Sequence, residues 1–243
     1  MSVSTEVKIY ADQKQVIKAL AKEIFNLTKS SSQERFNILL SGGNTPSELF
    51  RRINKKYAYS IDWERIHFWW GDERCVSPDN ENSNYRQAHD FLLSQILIPS
   101  ENIHRIKGEN NPEEEAIRYA SEIKDNLNYR GENPVFDLVL LGLGEDGHTA
   151  SIFPDELELF EDERICAVTK HPLTGQKRIT ITGRVLNNAN RVFFLVTGVY
   201  KAQRISEIMN DDEAALLLPA YYISPKNGNL IWFLDEDAAS RIL

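Results

Sequence analysis

Two hydrophobic rhythms alternate along the chain. From residue 12 to 29, Val16, Leu20, Ile24 and Leu27 recur at helical spacing, which predicts an amphipathic helix with a lysine-bearing outer face. Residues 36–40 form a short apolar run, read as a strand, that enters Ser41-Gly42-Gly43-Asn44-Thr45-Pro46-Ser47-Glu48. Thr45 suits an N-cap, Pro46 the first helical position and Glu48 the far side of a capping box, so a helix is expected from there. A bulky strand at 66–70 leads into Gly71-Asp72-Glu73-Arg74, and helical spacing resumes from Asn84 through Tyr85, Ala88, Leu92 and Ile96 until Pro99. After a short strand at 103–106, Asn111 caps and Pro112 starts a helix that turns Ala116, Ala120, Ile123 and Leu127 inward, with Glu113 to Glu115 favouring its first turn.

Residues 136–141 are an almost unbroken apolar run closed by Gly142, the pattern of a strand buried on both faces of a parallel sheet. Strands are also expected at 165–168, 179–182, 191–196 and 230–234, with a polar turn at 170–178 between the first two. A helix carrying Lys201 in its first turn follows Thr197-Gly198, and Asp235 caps a terminal helix through Ala238 and Ala239. This alternation predicts a three-layer α/β fold with a mainly parallel sheet and helices on both faces. No linker, repeat or low-complexity tract divides the chain, so residues 1–243 are expected to form one domain.

Charge and cysteine content narrow the function. A formal net charge of −8 leaves no basic face for a nonspecific hold on nucleic acid. The N-terminus lacks an apolar signal core and no apolar run approaches a membrane span, so a soluble, cytoplasmic chain is expected. Cys75 and Cys166 lie far apart and outside any C-x-x-C, and the histidines show no ligand spacing, so neither a disulfide framework, a metal nor a cofactor is expected. The sequence leaves the oligomeric state open.

The chemistry concentrates at strand ends. Gly142, Gly144 and Gly147 fit G-x-G-x-x-G, but Pro154 cuts the segment short and Glu145 and Asp146 would face the phosphates of a dinucleotide, so that reading fails. His148, beside Asp146 in a glycine loop at a strand end, suits a general base better than a turn cap. Gly42 and Gly43 ahead of a helix start offer N–H groups to an anion such as phosphate. Asp72, Glu73 and Arg74 either pair with one another or bind a ligand. Lys201 lies against the positive end of a helix dipole, which a bound anion would explain; the other reading is an exposed lysine. Cys75 is a poor nucleophile candidate, because no histidine is tied to it by motif.

Together these motifs resemble the 6-phosphogluconolactonase family, within the larger group that includes glucosamine-6-phosphate deaminases and isomerases. The resemblance runs from Leu40 to Ala239 and rests on Leu40-Ser41-Gly42-Gly43 with Thr45-Pro46, on Trp70-Gly71-Asp72-Glu73-Arg74 with Ser83-Asn84-Tyr85, and on Gly142-Leu143-Gly144-Glu145-Asp146-Gly147-His148-Thr149-Ala150-Ser151 with Phe153-Pro154. Arg178-Ile179-Thr180, Gly198 with Lys201-Ala202, Leu218-Pro219-Ala220 and Trp232 with Asp235 extend it. Asn44, Cys75-Val76-Ser77-Pro78 and Pro172-Leu173-Thr174-Gly175-Gln176 depart from the family pattern.

The resemblance implies a Rossmann-like fold of the phosphosugar isomerase/lactonase type and hydrolysis of 6-phospho-D-glucono-1,5-lactone to 6-phosphogluconate. It makes His148 the base and Asp146 its orienting partner, and gives Gly42, Gly43, Thr45, Asp72, Arg74, Arg178 and Lys201 to the substrate and its phosphate. The alternatives are a glucosamine-6-phosphate deaminase/isomerase, which typically carries a glutamate after the histidine where this chain has Thr149-Ala150-Ser151-Ile152-Phe153-Pro154, and a non-catalytic phosphosugar sensor.

Overall fold

The structure is a computed structural model and describes residues 4–243. In chain order, β1 (Ser4–Tyr10), α1 (Gln13–Ser30), β2 (Phe36–Leu40), α2 (Asn44–Tyr57) and β3 (Ile66–Trp70) lead to β4 (Asp72–Arg74) and α3 (Asn84–Phe91). Then come β5 (Ile103–His104), α4 (Pro112–Asn126), the small hairpin of β6 (Tyr129–Arg130) and β7 (Asn133–Pro134), and β8 (Leu138–Leu141). β9 (Cys166–Lys170), β10 (Lys177–Ile181), α5 (Gly183–Leu186), β11 (Arg191–Val196), α6 (Ala202–Met209), β12 (Asn229–Asp235) and α7 (Glu236–Ala239) complete the chain.

Seven strands form a central sheet in the order β1-β12-β11-β8-β2-β3-β5, each pair of neighbours parallel. Every residue of β2, β3 and β8 is buried. Successive side chains point to opposite faces, so both faces of the sheet are covered and the unbroken apolar runs have their physical reason. The pattern of an α/β fold with a parallel sheet is therefore realised, with one addition. β4, β10 and β9 form a separate antiparallel sheet, and β9 and β10 are the two arms of a hairpin around the polar turn. Gly71 is the joint between the sheets: its N–H donates to Leu40 O of β2 at 2.9 Å while its carbonyl accepts from Ile181 N of β10 at 2.8 Å.

Two local expectations need correction. Helix α2 begins at Asn44, one residue ahead of the expected cap, because Gly43 takes the N-cap position with φ +117, a conformation that favours glycine. Thr45 is thereby inside the first turn, with its hydroxyl 3.3 Å from that of Thr197, and Glu48 pairs with Arg51 instead of reaching back. Helix α3 stops at Phe91, well before Pro99, and a single 3-10 turn at Leu93–Gln95 follows. The break lets the adjacent Leu92 and Leu93 both be buried.

At the β5 edge, His67 Nδ1 lies 3.0 Å from His104 Nε2, His104 Nδ1 lies 2.7 Å from Glu122 Oε1, and the His104 ring stacks on Trp69 at 3.8 Å. Burial, and after it the charge of His104, push the His67 pKa down to about 4 from its ordinary 6.5. Between those values the unfolded chain binds more protons than the folded one, so this site's contribution to stability is complete above pH 6.5 and is lost as the pH falls toward 4. In urea titrations across that window we expect the wild-type midpoint to fall more steeply than that of His67→Gln. Equal slopes would remove His67 as the cause.

Candidate active site

The chain leaves β2 toward β3 and β5 on one side and returns at β8 on the other, so the crevice at the carboxyl ends of β2 and β8 is the topological switch point where open α/β sheets bind ligands. A cavity of about 130 Å³ lies there. Ser41 and Gly42 line it from the end of β2, and Gly142, Leu143, Gly144, His148 and Ala150 from the loop after β8. Asp72 and Arg74 of β4, Asn84 of α3 and Arg178 of β10 close the opposite side. The cavity is smaller than the roughly 300–1,000 Å³ usual for ligand pockets, so a ligand of sugar-phosphate size must extend beyond these residues.

The loop after β8 holds its histidine from several sides. His148 Nδ1 lies 2.6 Å from Asp146 Oδ1, which also accepts the His148 backbone N–H at 3.1 Å. Burial alone would raise the Asp146 pKa, but the hydrogen bond and charge of His148 outweigh it and hold the carboxyl at about 2. An ionised carboxylate can only accept, so Nδ1 carries the proton of a neutral ring and Nε2 keeps its lone pair for another partner. The Gly144 N–H donates to His148 O at 2.8 Å, and a Cβ on Gly144 would fall 2.1 Å from Nδ1. Only glycine leaves room for the ring there. Ala150 has φ +48, a strained value for a residue with a side chain. Its neighbours fix it: Thr149 Oγ1 donates to Gly142 O at 3.0 Å, and Ser151 N donates to Thr180 Oγ1 at 3.2 Å.

Facing this loop are two arginines that the sequence separates by a hundred residues. The antiparallel register sets Arg74 directly opposite Arg178. Like charges in that position repel. Arg178 is 9% exposed, and the Nε atoms of both residues are buried without a hydrogen-bond partner. Burial first, and then the charge of Arg74, lower the Arg178 pKa. Asp72 compensates only in part, at 3.9 Å from Arg178 Nη1, because its carboxylate is also engaged by Ser151 Oγ at 2.6 Å and more loosely by Asn84 Nδ2 at 3.4 Å. An anion with several oxygens answers this surplus of donors.

Of the residues singled out from the sequence, Gly42, Asp72, Arg74, His148 and Arg178 therefore share one cavity, and Asp146 touches it through His148. Gly43, Thr45 and Lys201 are not among its lining residues: the Gly43 N–H donates to Gln87 Oε1 at 2.8 Å, and Lys201 sits within the fields of Glu145 and Asp146, its pKa lowered by burial against their pull. Glu73 is no ligand. Its carboxylate accepts the backbone N–H groups of Arg74, Asn84 and Tyr85 and the Ser83 hydroxyl, and anchors the start of α3.

Sequence reasoning missed His171, in the β9–β10 turn. Its Nδ1 accepts from Leu173 N and Thr174 N, its ring packs edge-on to Phe153 at 5.3 Å, and Phe153 in turn packs on His148 at 5.0 Å. Through Phe153 it borders the same site, and burial and then the charges of Arg178, His148 and Arg74 lower its pKa. A polar turn carries no local signal of that proximity. Among the described residues no three His, Cys, Asp or Glu side chains are grouped as a metal ion would need.

A switch-point cavity with an acid-oriented imidazole on one wall and two opposed guanidiniums on the other belongs to an α/β protein built for a small anionic ligand. The chain is a member of the family described as glucosamine-6-phosphate isomerases/6-phosphogluconolactonase, whose family model matches residues 11–232. It is similar to the 6-phosphogluconolactonase of Haemophilus influenzae, at 45% identity over 208 residues, 85% of this chain and 87% of that protein. Among solved structures, the devB protein is 41% identical with a TM-score of 0.94 over 98% of this chain and 100% of that one. The 6-phosphogluconolactonase of Thermotoga maritima is 30% identical with a TM-score of 0.82 over 96% of this chain and 100% of that one.

The tight seat of the imidazole generates a prediction. Gly144→Ala should push the His148 ring off Asp146 while leaving the fold intact. The measurement is the downfield proton NMR signal of the Nδ1–H···carboxylate bond, expected in the wild type and absent in the variant at an unchanged circular dichroism spectrum. Persistence of that signal would mean that the loop yields without moving the ring.

Proposed function

We infer that this chain hydrolyses 6-phospho-D-glucono-1,5-lactone to 6-phospho-D-gluconate, the lactone-opening step of the oxidative pentose phosphate pathway, and that it acts as one domain in the cytoplasm. Family membership supports the reaction, and two free cysteines agree with a reducing compartment. The observation that carries it is the cavity itself, with an imidazole free at Nε2 across from paired arginines lacking enough carboxylate.

In this reading Arg74 and Arg178 hold the phosphate, with Gly42 beside them, Asp72 keeping Arg178 in place, and Gly43, Thr45 and Lys201 taking up the part of the ligand that extends past the cavity. Binding energy gathered there sets the lactone carbonyl carbon near His148. His148 Nε2 takes a proton from water as the water oxygen bonds to that carbon, and the carbonyl electrons move onto oxygen. Main-chain N–H groups of the glycine loops stabilise the resulting oxyanion. As the intermediate collapses, the bond from carbon to the ring oxygen breaks, and the proton on Nε2 passes to the departing oxygen. Asp146 stabilises the transient imidazolium and fixes its orientation. No covalent enzyme intermediate is needed, and Cys75 is unsuited to form one, since burial pushes its thiol up to about 11.

A deaminase reading lacks support from the residues after His148. In place of a glutamate stands Phe153, whose ring packs on His148 at 5.0 Å.

His148→Ala is expected to lower kcat by about 10²–10⁴-fold, with product affinity in calorimetry nearly unchanged; a turnover within a few-fold of wild type, after subtraction of spontaneous hydrolysis, would remove His148 from the chemistry. Arg178→Ala should raise KM for the phosphorylated lactone at least tenfold and leave the slow reaction of the unphosphorylated lactone unaffected, whereas equal loss on both substrates would make its role structural. Assayed side by side on fresh 6-phosphogluconolactone and on glucosamine 6-phosphate, the wild-type chain should open the first and release no ammonia from the second. Ammonia release would reverse the assignment, and binding of both without turnover would favour a sensor.

A further inference from the structure

A second concavity lies between α1 and α2 and has no part in the lactone chemistry. It spans about 570 Å³ and is lined by Lys14, Ile17 and Lys18 of α1 and by Glu48, Arg51, Arg52 and Lys55 of α2. In a chain of net charge −8, five cations and one carboxylate on a single groove are a local reversal of sign. Glu48 is already paired with Arg51, whose guanidinium also lies 3.6 Å over the Phe91 ring. Among the described residues, Lys14, Lys18, Arg52 and Lys55 enter no ion pair, and Arg52 has a buried Nε without an acceptor. Lys14 and Lys18 project from the first two turns of α1, where the Asp12 carboxylate is already taken as the N-cap by the Gln15 N–H at 2.7 Å.

The spacing identifies the class of ligand. Lys14 and Lys18 on α1, and Arg51 and Lys55 on α2, lie four residues apart, a single turn with about 6 Å of axial rise. That is the reach of a chain of two or three phosphates and too short for an acidic helix to lie along. The groove volume falls within the roughly 300–1,000 Å³ of small-molecule sites, and Ile17, 7% exposed, gives it an apolar floor against which a flat ring could rest. We propose that this groove binds a small molecule carrying two or more linked phosphates, of the nucleoside di- or triphosphate type.

The test is calorimetric titration of the full chain with inorganic tripolyphosphate, ATP and adenosine at 0.05 and 0.15 M salt. Saturable one-to-one binding of tripolyphosphate is expected, weaker at the higher salt and at least tenfold weaker in the double variant Lys14→Gln with Lys18→Gln and in Lys55→Gln, all at exposed positions that should leave the melting temperature unchanged. Binding should persist in Arg178→Ala, which separates this groove from the catalytic cavity. ATP binding tighter than tripolyphosphate would identify a nucleotide, and equal binding with none of adenosine a free polyphosphate; either supports the site. No saturable binding, or binding lost in Arg178→Ala and kept in the groove variants, would overturn it.

Discussion

The carboxylate of Asp72 is the interaction on which the two sheets depend. It is 5% exposed at the point where the chain has just left the central sheet through Gly71 and entered the antiparallel one. From there it reaches Ser151 in the loop after β8, Asn84 at the start of α3 and Arg178 on β10. A buried charge is tolerated only when its surroundings supply donors, and here each donor comes from a different element. The carboxylate therefore fixes the relative position of the histidine loop and the arginine pair. The Ser151 N–H bond to Thr180 Oγ1 and the Ile181 N–H bond to Gly71 O act at the same junction.

The site's electrostatics follow from that arrangement. On one wall Asp146 is satisfied by His148 and stays ionised, so the imidazole keeps one tautomer and one orientation. On the other, Arg74 and Arg178 are held opposite each other by the strand register with only Asp72 to offset them. The repulsion leaves this wall with a surplus of positive charge. The strained Ala150 between the two walls fits the same pattern, since backbone of positive φ persists where surrounding contacts over-determine it. Cost is concentrated around the cavity, while β2, β3 and β8, which carry it, are buried throughout.

Much of this was legible in the chain because the signals are local. The apolar runs of β2, β3, β8 and β11 and the caps Asn111 and Asp235 declare themselves within a few residues, and each cap accepts a backbone N–H in the structure. The glycine loop could likewise be read as a strand-end site holding Asp146 and His148, since residues two apart in a tight turn must meet. Where local rules competed, they misled. A capping-box spacing lost to a glycine pair that turns the backbone one residue sooner, and a continuing helical stripe lost to the burial of two adjacent leucines.

By itself, then, the sequence determined the alternation of strands and helices, the parallel sheet and the residues of the histidine loop, because periodicity and turn chemistry act between near neighbours. Only the tertiary structure decided that Asp72-Glu73-Arg74 is a strand, that its carboxylates do different work, that Arg178 comes to face Arg74, and that His171 borders the site. Those outcomes depend on strand pairing and buried charge compensation between segments a hundred residues apart. No window along the chain contains both partners.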